Sequence, residues 1–198
     1  MKTIFSFLML MIILTGCAVT RDQVSIQYEP MTDVAKIEKA ETIPFNVQVT
    51  DSRTSKDRVG RKKNGYGMDC SSIVCENDMN QLIKEAISQE LHNRGFVLSL
   101  EDCSSTLVKV NLHKFYNDFK LGYFTGKGMS EIILQVDILK PDHQLSFSKT
   151  VVGTGVNRNV MMFSGKNAKI ALEEALKNAI SELMEDSSFI QALLNLSQ

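Results

Sequence analysis

Apolar and polar residues alternate over four stretches of the chain. Residues Ile43 to Thr50 (IPFNVQVT) place Phe45, Val47 and Val49 on one face, which predicts a strand that Asp51-Ser52-Arg53 ends. Val108, Val110 and Leu112 alternate with Lys109, Asn111 and His113, and predict a second strand. Ile132, Leu134, Val136 and Ile138, with Glu131, Gln135 and Asp137 opposite, predict a third. Lys140-Pro141-Asp142-His143 reads as a turn, because proline presets φ and the Asp side chain closes the turn. Leu145, Phe147, Lys149 and Val151 then continue as a fourth strand, antiparallel to the third, with Gly153 and Gly155 marking a bulge or a close backbone approach near its end.

Elsewhere the period changes to that of a helix. Met79, Leu82, Ile83, Ala86, Ile87 and Leu91 recur at helical spacing behind Asp78, an N-cap residue with Gln81 at N3, and Gly95 follows Arg94 at the far end. A broad apolar face from Ile170 to Leu183 predicts a second helix, capped by Ser164 or Asn167 and broken by Asp186-Ser187-Ser188. Phe189, Ile190, Leu193, Leu194 and Leu196 form a short last one. The connections are a polar tether over 18–40 that has room for a short strand where Val24, Ile26 and Tyr28 alternate weakly, a long polar loop over 54–76 with a short hairpin around Met68–Val74, and a Gly-rich link over 117–129. The order β-α-β-β-β-α-α predicts an α+β fold: a small, mainly antiparallel sheet with helices packed on one face.

The N-terminus follows another logic. After Lys2, Ile4 to Leu14 is an apolar run interrupted only by Ser6. A spanning helix needs about 20 such residues, so this run has the length of a secretory h-region. It ends in Leu14-Thr15-Gly16-Cys17, which looks like a bacterial lipobox. That resemblance implies a diacylglycerol on the Cys17 thiol, cleavage before Cys17, and an N-acyl chain (a palmitate, for example) on the new amino group. Several acyl chains anchor essentially permanently where one holds only marginally. Ala18, rather than Asp, follows Cys17. By resemblance to Gram-negative sorting rules this favours the outer membrane, facing the periplasm. The expected layout is a signal peptide over 1–16, a lipidated cysteine and tether over 17–41, and one periplasmic domain over 42–198. A flexible tether of that length reaches roughly 25 Å.

Composition narrows the function. The 22 Lys+Arg against 23 Asp+Glu and a pI near 6.3 argue against a nucleic-acid partner. In an oxidising periplasm Cys70 and Cys75 are close enough in sequence for a small disulfide loop; a bridge through Cys103 and free thiols are the alternatives. Arg58, Arg61, Lys62 and Lys63, with Tyr66, form a basic loop that reads either as a solvated loop or as a contact surface for lipopolysaccharide phosphates, peptidoglycan carboxylates or an envelope protein.

Asp51-Ser52-Arg53, Lys62-Lys63-Asn64-Gly65-Tyr66-Gly67-Met68, Asn93-Arg94-Gly95-Phe96 and the closing Asn167-Ala168, Ala171-Leu172, Ala175-Leu176, Asp186 and Phe189-Ile190 resemble the YajG family of bacterial lipoproteins. The resemblance covers the chain from the lipobox to the end. It implies an outer-membrane-anchored periplasmic domain and carries no reaction. Nothing in the residues adds one. Gly122 to Gly128 is one residue short of a phosphate loop and lacks its Ser or Thr. Gly153-Thr154-Gly155 lacks the third glycine of a dinucleotide site. His92, His113 and His143 have no ligand partners at metal spacing. The expectation is a non-enzymatic structural or interaction module of the envelope, without metal or other cofactor; the alternative is an accessory subunit of an envelope transport or secretion complex.

Overall fold

The structure, a computed structural model, describes residues 20–99, 106–140, 142 and 144–195. The alternating stretches become strands of one mixed, eight-stranded sheet: β1 (Asp22–Val24), β2 (Pro44–Asp51), β3 (Gly60–Lys63), β4 (Asp69–Cys75), β5 (Val97–Leu98), β6 (Thr106–Lys120), β7 (Gly126–Leu139) and β8 (Leu145–Val160). The helices are α1 (Met79–Asn93), α2 (Gly165–Glu185) and α3 (Ser187–Leu194). The fold is α+β, as the pattern predicts. Its centre is an antiparallel meander of β6, β7 and β8. The other edge of β6 is shared end to end by β2 and β3, both parallel to it, and β1 lies parallel to β4. Those parallel pairings join segments far apart in sequence, which local alternation does not encode.

Strands β6, β7 and β8 are all longer than their alternation suggests. The register of β6 against β7 shifts between Leu112 and Lys114. A bulge inserts one residue and so changes the parity of the side chains. Val108, Val110 and Leu112 point into the core before it, and Phe115, Asn117 and Phe119 after it. The change of parity hides the second half of β6 from a period-two reading, and the Gly-rich link predicted over 117–129 is mostly strand.

The helices cover one face of the sheet. In α1, the Asp78 side chain accepts from the Asn80 and Gln81 amides, and Gly95 takes φ 101°, so both predicted ends hold. The α2 face toward the sheet is built from small residues: Ala168, Ala171, Ala175 and Ala179 are all fully buried. They let the helix backbone settle onto β8 at Gly153 and Gly155, where a Cβ would lie 2.1 Å from the Ala175 carbonyl oxygen and 2.0 Å from that of Ala171. The predicted close backbone approach is therefore real, and it is a helix-to-strand contact. The opposite sheet face carries polar ladders, such as Ser148 Oγ donating to Asp137 (2.6 Å) and Thr150 Oγ1 donating to Gln135 (2.6 Å).

Asp186 ends α2 and starts α3. Its carboxylate accepts from the Ser188 and Phe189 amides and pairs with Lys149 of β8 at 2.8 Å. The Lys149 hydrogen bond, aided by those amides, outweighs burial and holds the Asp186 carboxyl below the ordinary carboxylate range. A depressed folded-state value means stability that is present above the unfolded pKa of about 4 and lost as pH falls through the folded value. Asp186→Ala is expected to cost about 1 kcal/mol at neutral pH, measured by urea denaturation. The deficit should shrink on acidification; a deficit constant from pH 7 to pH 3 would refute the role of the charge.

The tether expected over 17–41 is corrected. Val24 and Ile26 are buried, β1 is part of the sheet, and the Met31 amide and Tyr28 hydroxyl both donate to Glu90 of α1 at 2.8 Å. The segment predicted to reach freely is fastened to the domain from Asp22 onward, because its alternating Val24, Ile26 and Tyr28 are the apolar side of an edge strand and its extension.

Candidate functional site

Cys17 and Cys103 lie outside the described residues. Cys70 and Cys75 are free, and the disulfide expected between them is corrected. Both belong to the extended strand β4. At about 3.3 Å per residue their Cα atoms stand roughly 16 Å apart, against the 4.4–6.8 Å that a disulfide needs. Burial raises the Cys75 thiol above its ordinary pKa, which favours the inert, protonated form.

The expected basic loop is also corrected. Gly60–Lys63 is strand β3, hairpinned onto β4, and most of its cations are engaged. Arg61 pairs with Asp69 (3.5 Å), Lys62 with Asp22 (2.9 Å), Lys63 with Asp118 (2.8 Å), and Arg58 with Asp57 (3.3 Å). Only the tip carrying Tyr66 stands out into solvent. Asn64 shapes that tip, its side chain accepting from the Tyr66 and Met68 amides at 3.0 Å.

What the sequence kept apart, the fold assembles. Three connections meet at one end of the sheet: the β3–β4 turn, the β6–β7 turn over 121–125 and the β8–α2 link over 161–164. They enclose an open groove of about 620 Å³ lined by Lys62, Lys63, Tyr123, Phe124, Met161 and Met162, among others. The β6–β7 turn carries Leu121, Tyr123 and Phe124 into solvent, and the link carries Met161 and Met162. Beneath them Phe163 turns inward and packs on Phe119 at 5.1 Å between ring centroids, filling the space that Gly126 leaves. The sequence carried a signal for this end: a Tyr-Phe pair between Gly122 and Gly126, and a Met-Met pair between a strand and a helix, are apolar residues where a connection should be polar.

The chain's first described residues reach the same end. Lys62 Nζ donates to the Thr20 carbonyl (3.2 Å) and to Asp22 (2.9 Å), while the Asp22 carboxylate also accepts from the Gly165 amide at the start of α2 (2.7 Å). Burial works to raise the Asp22 carboxyl; the Gly165 and Lys62 hydrogen bonds outweigh it and hold it below the usual range.

Asp51 and Arg53 form a bidentate pair just after β2, with Nε to Oδ1 at 2.9 Å and Nη2 to Oδ2 at 2.8 Å. Burial again works to raise the Asp51 carboxyl, and Arg53 overrides it. The Asp51 side chain also accepts the Arg53 amide, so the pair closes the turn that ends the strand. His92 is exposed on the last turn of α1 and His113 at the β6 bulge, on separate elements. Gly122 to Gly128 is the β6–β7 hairpin. No helix among the described residues is long and apolar enough to cross a membrane.

Residues 30–194 match the sequence profile of a family described as "uncharacterized lipoprotein". The chain belongs to that lipoprotein family. No curated protein is significantly similar to it in sequence. Among solved structures, the chain is similar to XCC0632 from Xanthomonas campestris, at 10% identity and TM-score 0.61 over 90% of this chain and 99% of that one. It is also similar to a Helicobacter pylori protein described as a neuraminyllactose-binding hemagglutinin homolog, at 9% identity and TM-score 0.55 over 88% of this chain and 98% of that one. At such identities the likeness is one of fold, and fold does not carry function.

Proposed function

We propose that this family member is an envelope lipoprotein of the YajG type, held in the outer membrane by acyl chains on Cys17. Its single α+β domain stands on the periplasmic side and works as a non-enzymatic interaction module. The observation that carries the reading is the position of the lipoprotein-family match: it occupies residues 30–194, C-terminal to Leu14-Thr15-Gly16-Cys17 with only residues 18–29 between. The family membership and the thiol at the end of an apolar run point to the same chemistry. Ala18 supports delivery to the outer membrane.

The test is Cys17→Ser. Intact mass of the wild-type mature chain should show acyl groups on a polypeptide beginning at Cys17. The variant should lose that mass and leave the outer-membrane fraction. A variant that still fractionates with the outer membrane would refute the anchor. Recovery of a stoichiometric multiprotein partner with the acylated wild type would reassign the module as an accessory subunit.

A further inference from the structure

We propose that the groove end of the sheet is a bilayer-docking face, whose apolar tips enter the headgroup region of the membrane holding Cys17 while its cations meet lipid phosphates. This deepens the function proposed above and rests on acylation of Cys17.

The first observation is where the chain ends. Lys62 ties the Thr20 carbonyl to β3, and Asp22 is fixed to both Lys62 and the Gly165 amide. Three peptide steps from Thr20 to Cys17 span at most about 10 Å. An acylated Cys17 therefore brings the bilayer surface to this end of the domain and to no other.

The second is what this end exposes. Tyr66 is 86% exposed, Tyr123 95%, Phe124 89% and Met161 81%. They stand on three separate connections yet share one end of the sheet, next to the groove. Soluble proteins rarely leave apolar side chains clustered in this way, whereas aromatic rings suit the headgroup layer of a membrane.

The third is charge. Arg58, Arg61, Lys62, Lys63 and Lys169 are paired with carboxylates, but Lys120, Lys127, Arg158 and Lys166 at this end have no ion pair among the described residues. Lys120 lies directly opposite Lys127 across the β6–β7 pair, and Arg158 lines the same shallow depression. Like charges opposed across strands destabilise a sheet; anionic phosphates at that spot relieve the repulsion, and each juxtamembrane cation adds to membrane affinity. A bilayer matches all three features at once: an apolar layer, a phosphate layer above it, and the acyl chains already inserted.

The chain has no tryptophan, so Phe124→Trp introduces a single, selectively excited tryptophan at the tip. Leu145→Trp, at the far end of β7 and β8, is the control. The acylated full chain is reconstituted in vesicles of phosphatidylethanolamine and phosphatidylglycerol. The expected result is blue-shifted Phe124→Trp emission, quenched by brominated acyl chains, with Leu145→Trp emission remaining water-like. Unacylated Cys17→Ser protein should sediment weakly with the same vesicles, and Tyr123→Asp with Phe124→Asp should weaken that binding by about a hundredfold or more, because two apolar rings are lost. Acylated protein whose Phe124→Trp emission matches that of Leu145→Trp overturns the docking face and leaves the anchor intact. A shift that requires added envelope proteins assigns the surface to a protein and also overturns it. A bare Cys17 by intact mass is the separate failure of the anchoring reading.

Discussion

Gly155→Val should lower stability by at least about 3 kcal/mol. The reason is backbone, not side-chain, crowding. A Cβ at residue 155 would sit 2.0 Å from the Ala171 carbonyl oxygen and 2.6 Å from the Ala175 amide nitrogen. Neither atom belongs to a rotatable side chain, so α2 must lift off the sheet to admit the substitution. Lifting it exposes the fully buried Leu172, Leu176 and Ile180. For a domain of this size the loss corresponds to a fall in Tm of roughly 6–12 °C. Gly155→Ala should act in the same direction with smaller size. Gly65→Ala, where nothing lies within 4 Å of the new Cβ, should be nearly neutral. If Gly155→Val melts within a degree or two of wild type, α2 does not seat on β8 as described.

Glu90→Ala should cost about 3–5 kcal/mol. Glu90 is fully buried and pairs with Arg94, whose side chain is only 8% exposed, at 2.7 Å. Removing the carboxylate leaves the guanidinium buried without its counter-charge and takes the shared acceptor from the Tyr28 hydroxyl and the Met31 amide. Burial and the Glu90 carboxylate push the Tyr28 hydroxyl well above the ordinary phenol range, so it stays a hydrogen-bond donor at all physiological pH. The consequence is local as well as global: residues 26–31 lose their hold on α1. Hydrogen exchange at Met31 should accelerate in Glu90→Ala, while urea denaturation reports the total loss. Replacing the pair together, Glu90→Leu with Arg94→Met, should recover much of the stability, since apolar residues of similar volume commonly match a buried ion pair. A Glu90→Ala cost under about 1 kcal/mol would show that the pair is not buried as the structure places it.

These two sites differ in how far they could be read in advance. Gly153 and Gly155 point to a bulge or a close backbone approach, because glycine inside a strand commonly serves one or the other. What approached them was not legible, since α2 is a separate helix that only the folded sheet brings over β8. Arg94 reads as a helix-ending cation, and Glu90 carries no signal of its own in the sequence. Their burial follows from the return of residues 22–31 across α1, a long-range contact that helical spacing does not report. The candidate site was less legible still. Arg58, Arg61, Lys62 and Lys63 drew attention as a charge run, but Asp57, Asp69, Asp22 and Asp118 take up those charges. The residues that make this end unusual were Tyr123, Phe124, Met161 and Met162, which lie in unrelated connections.

By itself the sequence determined the elements whose signal is local: α1 between Asp78 and Gly95, the apolar faces of β2, β7 and the first half of β6, the break at Asp186, and the α+β class that their order implies. Each of those is set by which face of a single helix or strand avoids water. The tertiary structure alone decided the parallel pairing of β2 with β6, the capture of the N-terminal segment by β4 and Glu90, the parity change inside β6, and the gathering of three connections at one end beside Thr20. Those depend on which distant surfaces bury one another, a property of the assembled chain that no window along it contains.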